Sequence, residues 1–193
     1  MRTLVALTFL FHSIISNGQK SYQIEKVLLL YTKPKNYKTR VDNFISAIKA
    51  GDSLILKNNK LQNQSNDDNI LFSFEKSDSS KINIILADYK NNSNIVKYTL
   101  KGYVDKLVEF MKLNYAKIGS DVIMKTREVF IDKIKFFVVE SKIFHKDKNY
   151  TYWTSMYIAE LSNKEFNISI IYDNEKDKKV IEESILKSRF ITK

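Results

Sequence analysis

The stretch "NYTYWTSMYIAEL" (residues 149–161) places three tyrosines and the only tryptophan of the chain within eight residues. In an extended strand, alternate side chains point to opposite faces of a sheet. Met156 and Ile158 would share one face with Tyr152, whereas Trp153, Tyr157, Ala159 and Leu161 would lie on the other. Because a strand that is apolar on both faces is expected to be covered on both sides, this stretch predicts a central strand between two packed layers.

The neighbouring segments predict further strands, most of them joined by short turns. Their alternating or continuous apolar residues favour strands over residues 23–34, 70–76, 81–89, 121–131, 134–144 and 165–173. We expect one pair to be joined near Asp132–Lys133 and another across the turn "SNKE" (162–165). Consecutive strands with short turns are typical of an antiparallel meander.

Three helices are predicted around this sheet. Val41, Phe44, Ile45 and Ile48 form one apolar face, and Val180, Ile181, Ser184 and Ile185 form another, with Asp177 as its expected N-cap. The main helix is expected to begin near Thr99 and to end at Gly119. The predicted fold class is therefore α+β, with a central, mainly antiparallel β-sheet flanked by helices in a three-layer α/β/α sandwich.

The N-terminus predicts export. Arg2 precedes a short apolar stretch, Leu4–Ile15, and the small residues Ser16 and Gly18 follow it. This is the pattern of a signal peptide (1–18) cleaved after Gly18, and the apolar run is shorter than the roughly 20 residues that span a bilayer. We expect residues 19–193 to form a single α+β domain without a membrane span, periplasmic or secreted, with a mobile polar loop at 58–69.

The formal net charge is +10, but the charges are interspersed. Acidic residues interrupt the lysines, as in "EKDKKVIEES" (175–184), so no basic face suited to nucleic acid is indicated. A lysine-coated, solvated surface is the favoured interpretation. A weak attraction to anionic polymers of the cell envelope remains compatible with this charge.

The C-terminal half resembles a known superfamily. A strand pair, the aromatic strand, a turn, "EFNISIIYD" (165–173), a polar linker and a helix ending "ESILKSRF" (183–190) follow one another in order. This order is similar to the last third of PsbP-like proteins, and Ile185, Leu186, Ser188 and Phe190 fit their closing pattern. The resemblance covers residues 70–190; it implies an α/β/α sandwich and a role in protein binding or assembly.

Catalytic and metal-binding motifs are scarce in the sequence. His145 is the only histidine after the predicted signal peptide, no cysteine is present, and no spacing typical of a metal site occurs. A Ser–His–Asp triad through His145 and a pair of carboxylates are formally possible, but no nucleophile elbow or glycine-rich phosphate loop accompanies them. We therefore expect no catalytic residues, metal or cofactor, and the sequence favours a non-catalytic protein over an enzyme.

Two functional hypotheses follow from the sequence. The first is an exported, non-catalytic binding or assembly domain whose partner is another envelope or secreted protein, with an immunity-type protein as one specific form. The alternative is a small-ligand or glycan-binding module, or a hydrolase, that uses the aromatic strand 150–157 as a stacking surface. The candidate binding residues are Tyr150, Tyr152, Trp153 and Tyr157.

Overall fold

The structure is a computed structural model, and it describes residues 18–40, 69–77, 83–92, 95, 98–146 and 149–192. These residues contain ten strands and two helices. The strands are β1 (Gln19–Ile24), β2 (Val27–Thr32), β3 (Tyr37–Thr39), β4 (Asn69–Lys76), β5 (Ile84–Lys90), β6 (Ser120–Ile131), β7 (Ile134–His145), β8 (Tyr150–Leu161), β9 (Lys164–Tyr172) and β10 (Arg189–Thr192). The helices are α1 (Leu100–Lys117) and α2 (Glu175–Leu186).

The strands form two antiparallel sheets. The large sheet has seven strands in the order β3-β4-β5-β9-β8-β7-β6, and the small sheet has three in the order β1-β2-β10. β8 lies between β7 and β9 inside the large sheet, so the aromatic stretch forms an interior strand as predicted. β6 and β3 form the two edges of the large sheet.

The β6–β7 hairpin shows how turn residues set the register. Asp132 and Lys133 have positive φ angles of 46° and 72°, which suit a two-residue turn of type I′. The two strands then pair without interruption from Ile131 opposite Ile134 to Ser120 opposite His145. The predicted strand pair joined at Asp132–Lys133 is confirmed.

One face of the large sheet packs against α1. Val104 of this helix is buried with Phe137, Val139 and Ile158. The hydroxyl of Thr99 accepts a hydrogen bond from the Gly102 amide at the start of the helix. At the other end, Gly119 has a φ of 70°, a conformation that favours glycine. The predicted beginning near Thr99 and end at Gly119 are confirmed.

The other face of the large sheet packs against the small sheet and α2. Leu29 and Tyr31 of β2 and Ile181 and Ile185 of α2 belong to one buried cluster with the large sheet. The Tyr31 hydroxyl lies 2.8 Å from the Ser184 hydroxyl, which joins β2 to α2. Because β2 also pairs with β10, segments from the two ends of the described chain lie side by side.

The predicted alternation along β8 is confirmed. Tyr157 and Ala159 are buried in the cluster beneath the small sheet, whereas Ile158 is buried beneath α1. Each face of β8 is therefore covered by a different layer.

The predicted three-layer α/β/α sandwich is wrong. Of the described residues, 58% lie in strands and 23% in helices, and a second antiparallel sheet covers much of the face where helices were expected. β2 was predicted as a strand, but its partners β1 and β10 were not. Together with β2, these strands form the small sheet that covers this face of the large sheet, and α2 is the one described helix that packs beside it.

Three other predictions concern local features. The observed N-cap of α2 is Asn174, whose side chain accepts a hydrogen bond from the Asp177 amide, so the expected cap at Asp177 is wrong. The predicted helix over residues 41–48, most of the polar loop 58–69 and the signal peptide up to residue 17 lie outside the described residues. Within the described part of the chain, no helix is long and apolar enough to cross a membrane.

A pair of phenylalanines on adjacent strands tests the core. Phe136 is fully buried against Phe166 and Phe190, with ring centroids 6.0 and 5.9 Å away, whereas Phe130 is 66% exposed. Phe136→Ala should lower the free energy of unfolding by about 3–5 kcal/mol. Phe130→Ala, the matched control, should change it by less than about 0.5 kcal/mol in the same urea titration. Equal effects would contradict the packing.

Candidate functional site

A groove crosses the large sheet from its β6 edge to the first turn of α2. Its volume is about 300 Å³, near the lower limit for small-molecule pockets. The residues that define this aromatic–lysine groove are Ile123 and Lys125 of β6, Glu140, Ser141 and Lys142 of β7, Trp153 of β8, Tyr172 of β9, and Glu175 and Lys178 of α2.

Two stacked aromatic rings form the floor of the groove. Trp153 and Tyr172 are cross-strand neighbours, with ring centroids 6.3 Å apart and planes 11° from parallel. The Lys142 ammonium lies 6.0 Å from the Trp153 ring, and the Lys178 ammonium lies 5.7 Å from the Tyr172 ring. Both distances fall within the range of cation–π attraction, so the lysines and rings hold one another in place.

The charges in the groove are partly compensated. A Glu140 carboxylate oxygen lies 3.3 Å from Arg127 Nε and 3.5 Å from Lys178 Nζ. Partial burial lowers the pKa of Lys178, but Tyr172, Glu140 and neighbouring carboxylates raise it more, so this lysine stays charged. Among the described residues, Lys125 and Lys142 form no ion pair, and the Lys142 ammonium lies near the Trp153 ring.

A partly buried ion pair fixes the helix end that borders the groove. Lys76 Nζ of β4 lies 2.7 and 2.8 Å from the two carboxylate oxygens of Asp177. Burial raises the pKa of Asp177, but the hydrogen bonds from Lys76 and Asn174 outweigh this effect and hold it below its ordinary value. The first turn of α2 is thereby anchored to the sheet, and with it the positions of Glu175 and Lys178.

The four predicted binding residues lie on two faces of the sheet. Trp153 lies in the aromatic–lysine groove. Tyr157 is on the same face but is 1% exposed, and its hydroxyl donates to Glu182 at 2.9 Å. Tyr150 and Tyr152 lie on the opposite face, where their rings stack with centroids 6.0 Å apart. The structure therefore does not bring the four residues together at one site.

Tyr150 and Tyr152 instead belong to a cluster beneath the end of α1. The Tyr152 ring also stacks on His145, and burial together with a hydrogen bond to Tyr152 raises the pKa of Tyr115 in α1. His145 Nδ1 lies 2.6 Å from the Ser120 hydroxyl. This distance suits a nucleophile–base pair, and Ser120 is 4% exposed.

The groove residues that the sequence did not indicate are Tyr172 and the lysines around it. Tyr172 is opposite Trp153 because the β8–β9 turn is centred on Ser162 and Asn163, both at positive φ. The register could be derived from that turn, whereas nothing in the sequence distinguishes Lys142 or Lys178 from the many solvated lysines. Within the described ranges, no three His, Cys, Asp or Glu side chains lie close enough to share a metal ion.

Trp153 fluorescence tests the accessibility and charge of the groove. The emission is assigned to the site because Trp153 is the only tryptophan of the chain. Iodide should quench it more strongly than caesium does, because Lys125, Lys142 and Lys178 attract anions. The double substitution Lys125→Glu with Lys142→Glu should reduce iodide quenching roughly twofold. Lys20→Glu with Lys112→Glu, which changes the net charge equally, should leave it unchanged; equal loss in both variants would contradict a local field.

The Lys76–Asp177 pair predicts a pH-dependent stability. The pKa of Asp177 is lower in the folded state than in the unfolded state, so its contribution is present above about pH 4 and is lost as the pH falls further. Asp177→Asn should cost about 2 kcal/mol of unfolding free energy at pH 7 and progressively less below pH 4. Asp121→Asn, at an exposed surface pair, is the control and should cost less than about 0.5 kcal/mol. A pH-independent difference for Asp177→Asn would contradict the ion pair.

Comparison with known proteins gives a likeness of fold. The sequence matches no protein-family profile and no curated protein. The structure is similar to the solution structure of cyanobacterial PsbP (CyanoP) from Synechocystis sp. PCC 6803, with a TM-score of 0.53 and 11% sequence identity. The match covers 93% of this chain and 95% of that chain. At this identity the likeness concerns the fold alone, and the chain has a PsbP-like fold.

Proposed function

We propose that the chain is an exported, non-catalytic accessory domain that binds another envelope or secreted protein through the aromatic–lysine groove. The observation that carries this proposal is the partly exposed Trp153 ring, which stacks on the buried Tyr172 ring and has a lysine near each ring. Tryptophan and tyrosine are enriched among the residues that contribute most to protein–protein binding.

The shape of the groove favours a protein surface over an enclosed ligand. A volume of about 300 Å³ accommodates a few side chains, and the groove extends to Ile123 on the edge strand, which is 63% exposed. Tyr172 is 2% exposed and burial raises its pKa, so it supports Trp153 from below as a neutral side chain, and Trp153 supplies the accessible aromatic surface of the groove. Lysines, glutamates and an aromatic ring can recognise a partner surface through charge and apolar contact.

Export is supported by the pattern of residues 1–18 together with the position of the first strand. β1 begins at Gln19, immediately after the expected cleavage point at Gly18. Cleavage there would leave every described strand intact. The partner would then meet the domain in the periplasm or outside the cell, and an immunity-type role against a secreted toxin is one form of this function.

A capture experiment tests the proposal. The chain with a C-terminal tag, expressed in a Gram-negative host, should appear in the periplasmic fraction with Gln19 as its first residue. Chemical crosslinking in envelope extract should then retain one defined protein. Lys125→Glu with Lys142→Glu should weaken its capture at least roughly tenfold, the loss expected when residues of a binding centre change.

The control variant, Lys20→Glu with Lys112→Glu, should capture the partner as the unchanged protein does. Identical capture by both double variants would contradict the groove as the binding surface. Saturable binding of oligosaccharides that shifts Trp153 emission, with no protein captured, would instead favour the glycan-binding alternative.

A further inference from the structure

The β6 edge of the large sheet is long and regular. β6 contains twelve residues, which span roughly 40 Å at the usual rise per residue. Among the described residues, only β7 pairs with it, along its inner side. Its sequence contains neither proline nor glycine to interrupt the backbone. An edge of this kind is a template for an added strand.

The hairpin register identifies which backbone groups point outward. In a two-residue hairpin, the residues that flank the turn, Ile131 and Ile134, exchange hydrogen bonds, and the pattern alternates from there. The N–H and C=O groups that point away from β7 therefore belong to Ser120, Val122, Met124, Thr126, Glu128 and Phe130. A strand added antiparallel to β6 would pair with these groups.

The side chains beside the groove indicate the chemistry of that strand. Ile123, Lys125 and Arg127 share the face of β6 that carries the groove, because each is paired with a β7 residue on that face. Lys125 and Lys142 add positive charge next to the edge, and within the described part of the chain neither forms an ion pair, although Glu140 is opposite Lys125 in β7. An incoming strand with acidic side chains on this face would complement them.

The same charges disfavour pairing with a second copy of the chain. If two β6 strands met antiparallel about an axis at Thr126, Lys125 of each copy would face Arg127 of the other. An axis at Lys125 or Arg127 would place identical cations opposite each other. Like charges directly opposite destabilise a strand pair. Because Arg127 is paired with Glu140 and Glu182, the repulsion comes mainly from Lys125, which an acidic chain would instead attract.

We propose that β6 receives an extended acidic segment of the partner protein as an eighth strand of the large sheet. This inference rests on the proposed function and specifies the partner segment. Backbone hydrogen bonds to the even-numbered residues of β6 would supply affinity, and carboxylates beside Lys125 and the groove would supply selectivity.

The test uses synthetic peptides as probes. A fluorescein-labelled peptide of about ten residues that alternates glutamate with threonine should bind in a salt-sensitive manner, whereas one that alternates lysine with threonine should not. On binding, hydrogen exchange should slow at the outward amides of Val122, Met124, Thr126 and Glu128. Thr126→Pro, which removes an outward N–H and leaves the β7 bonds in place, should weaken binding by roughly tenfold.

The control is Thr126→Val, which keeps the N–H and should bind the peptide as the unchanged protein does. A glutamate peptide N-methylated at every second residue should also fail to bind, which tests strand addition without altering the protein. The proposal is overturned if Thr126→Pro keeps its fold and binds normally, if the N-methylated peptide binds equally well, or if neither peptide binds at millimolar concentration.

Other occupants of the edge give distinct results. Slow exchange at the outward amides in the protein alone would show that this chain or a second copy already pairs with the edge, and would overturn the proposal; sedimentation would separate those two cases. If Thr126→Pro captures the envelope partner normally while the Lys125 and Lys142 double variant does not, the groove function stands and the added strand is rejected.

Discussion

The structure depends on covering the apolar face of the large sheet that carries Tyr157, Ala159 and Phe166. These side chains are fully buried, and burying each large one contributes about 1.5–3 kcal/mol. The cover comes from β2 near one end of the described chain and from α2 and β10 at the other. Because β2 and β10 pair, folding brings together segments that are about 160 residues apart in the sequence. Neither segment covers this face of the large sheet completely by itself.

The groove lies where this cover ends. α2 starts beside Tyr172 and continues over the core, so the sheet in front of its first turn is left to Trp153 and the lysines of β6 and β7. Several polar contacts hold α2 against the sheets, among them the Asp177–Lys76 pair, the Tyr31–Ser184 hydrogen bond and the Tyr157–Glu182 hydrogen bond. Two residues on the same face of β8 therefore have different environments. Tyr157 lies in the core beneath the cover, whereas Trp153, four residues earlier, lies beyond the cover and is partly exposed.

Local patterns in the sequence predicted most of the large sheet but not the second sheet. The strand pair at Asp132–Lys133, the alternation of β8 and the limits of α1 depend on neighbouring residues, and the structure confirms them. β10 has only four residues, "RFIT" (189–192), and is a strand because it pairs with β2. For the site, the sequence indicated Trp153 but could not show how far α2 covers the sheet. Tyr157 and Trp153 were therefore predicted as equivalent binding residues, although only Trp153 is exposed to solvent.

The two edges of the large sheet are protected to different extents. β3 has only three residues, so this edge offers little backbone to another strand. Lys38 and Arg40 beside it form ion pairs with Glu75 of β4. β6 has twelve residues, and its protection against self-pairing is the positive charge of Lys125 near its centre, since Arg127 is paired with Glu140 and Glu182. Charge of one sign blocks self-pairing but attracts a strand of the opposite sign. Under the proposed function, a long edge of this kind beside the aromatic–lysine groove would therefore pair more favourably with an acidic strand than with a second copy of the chain.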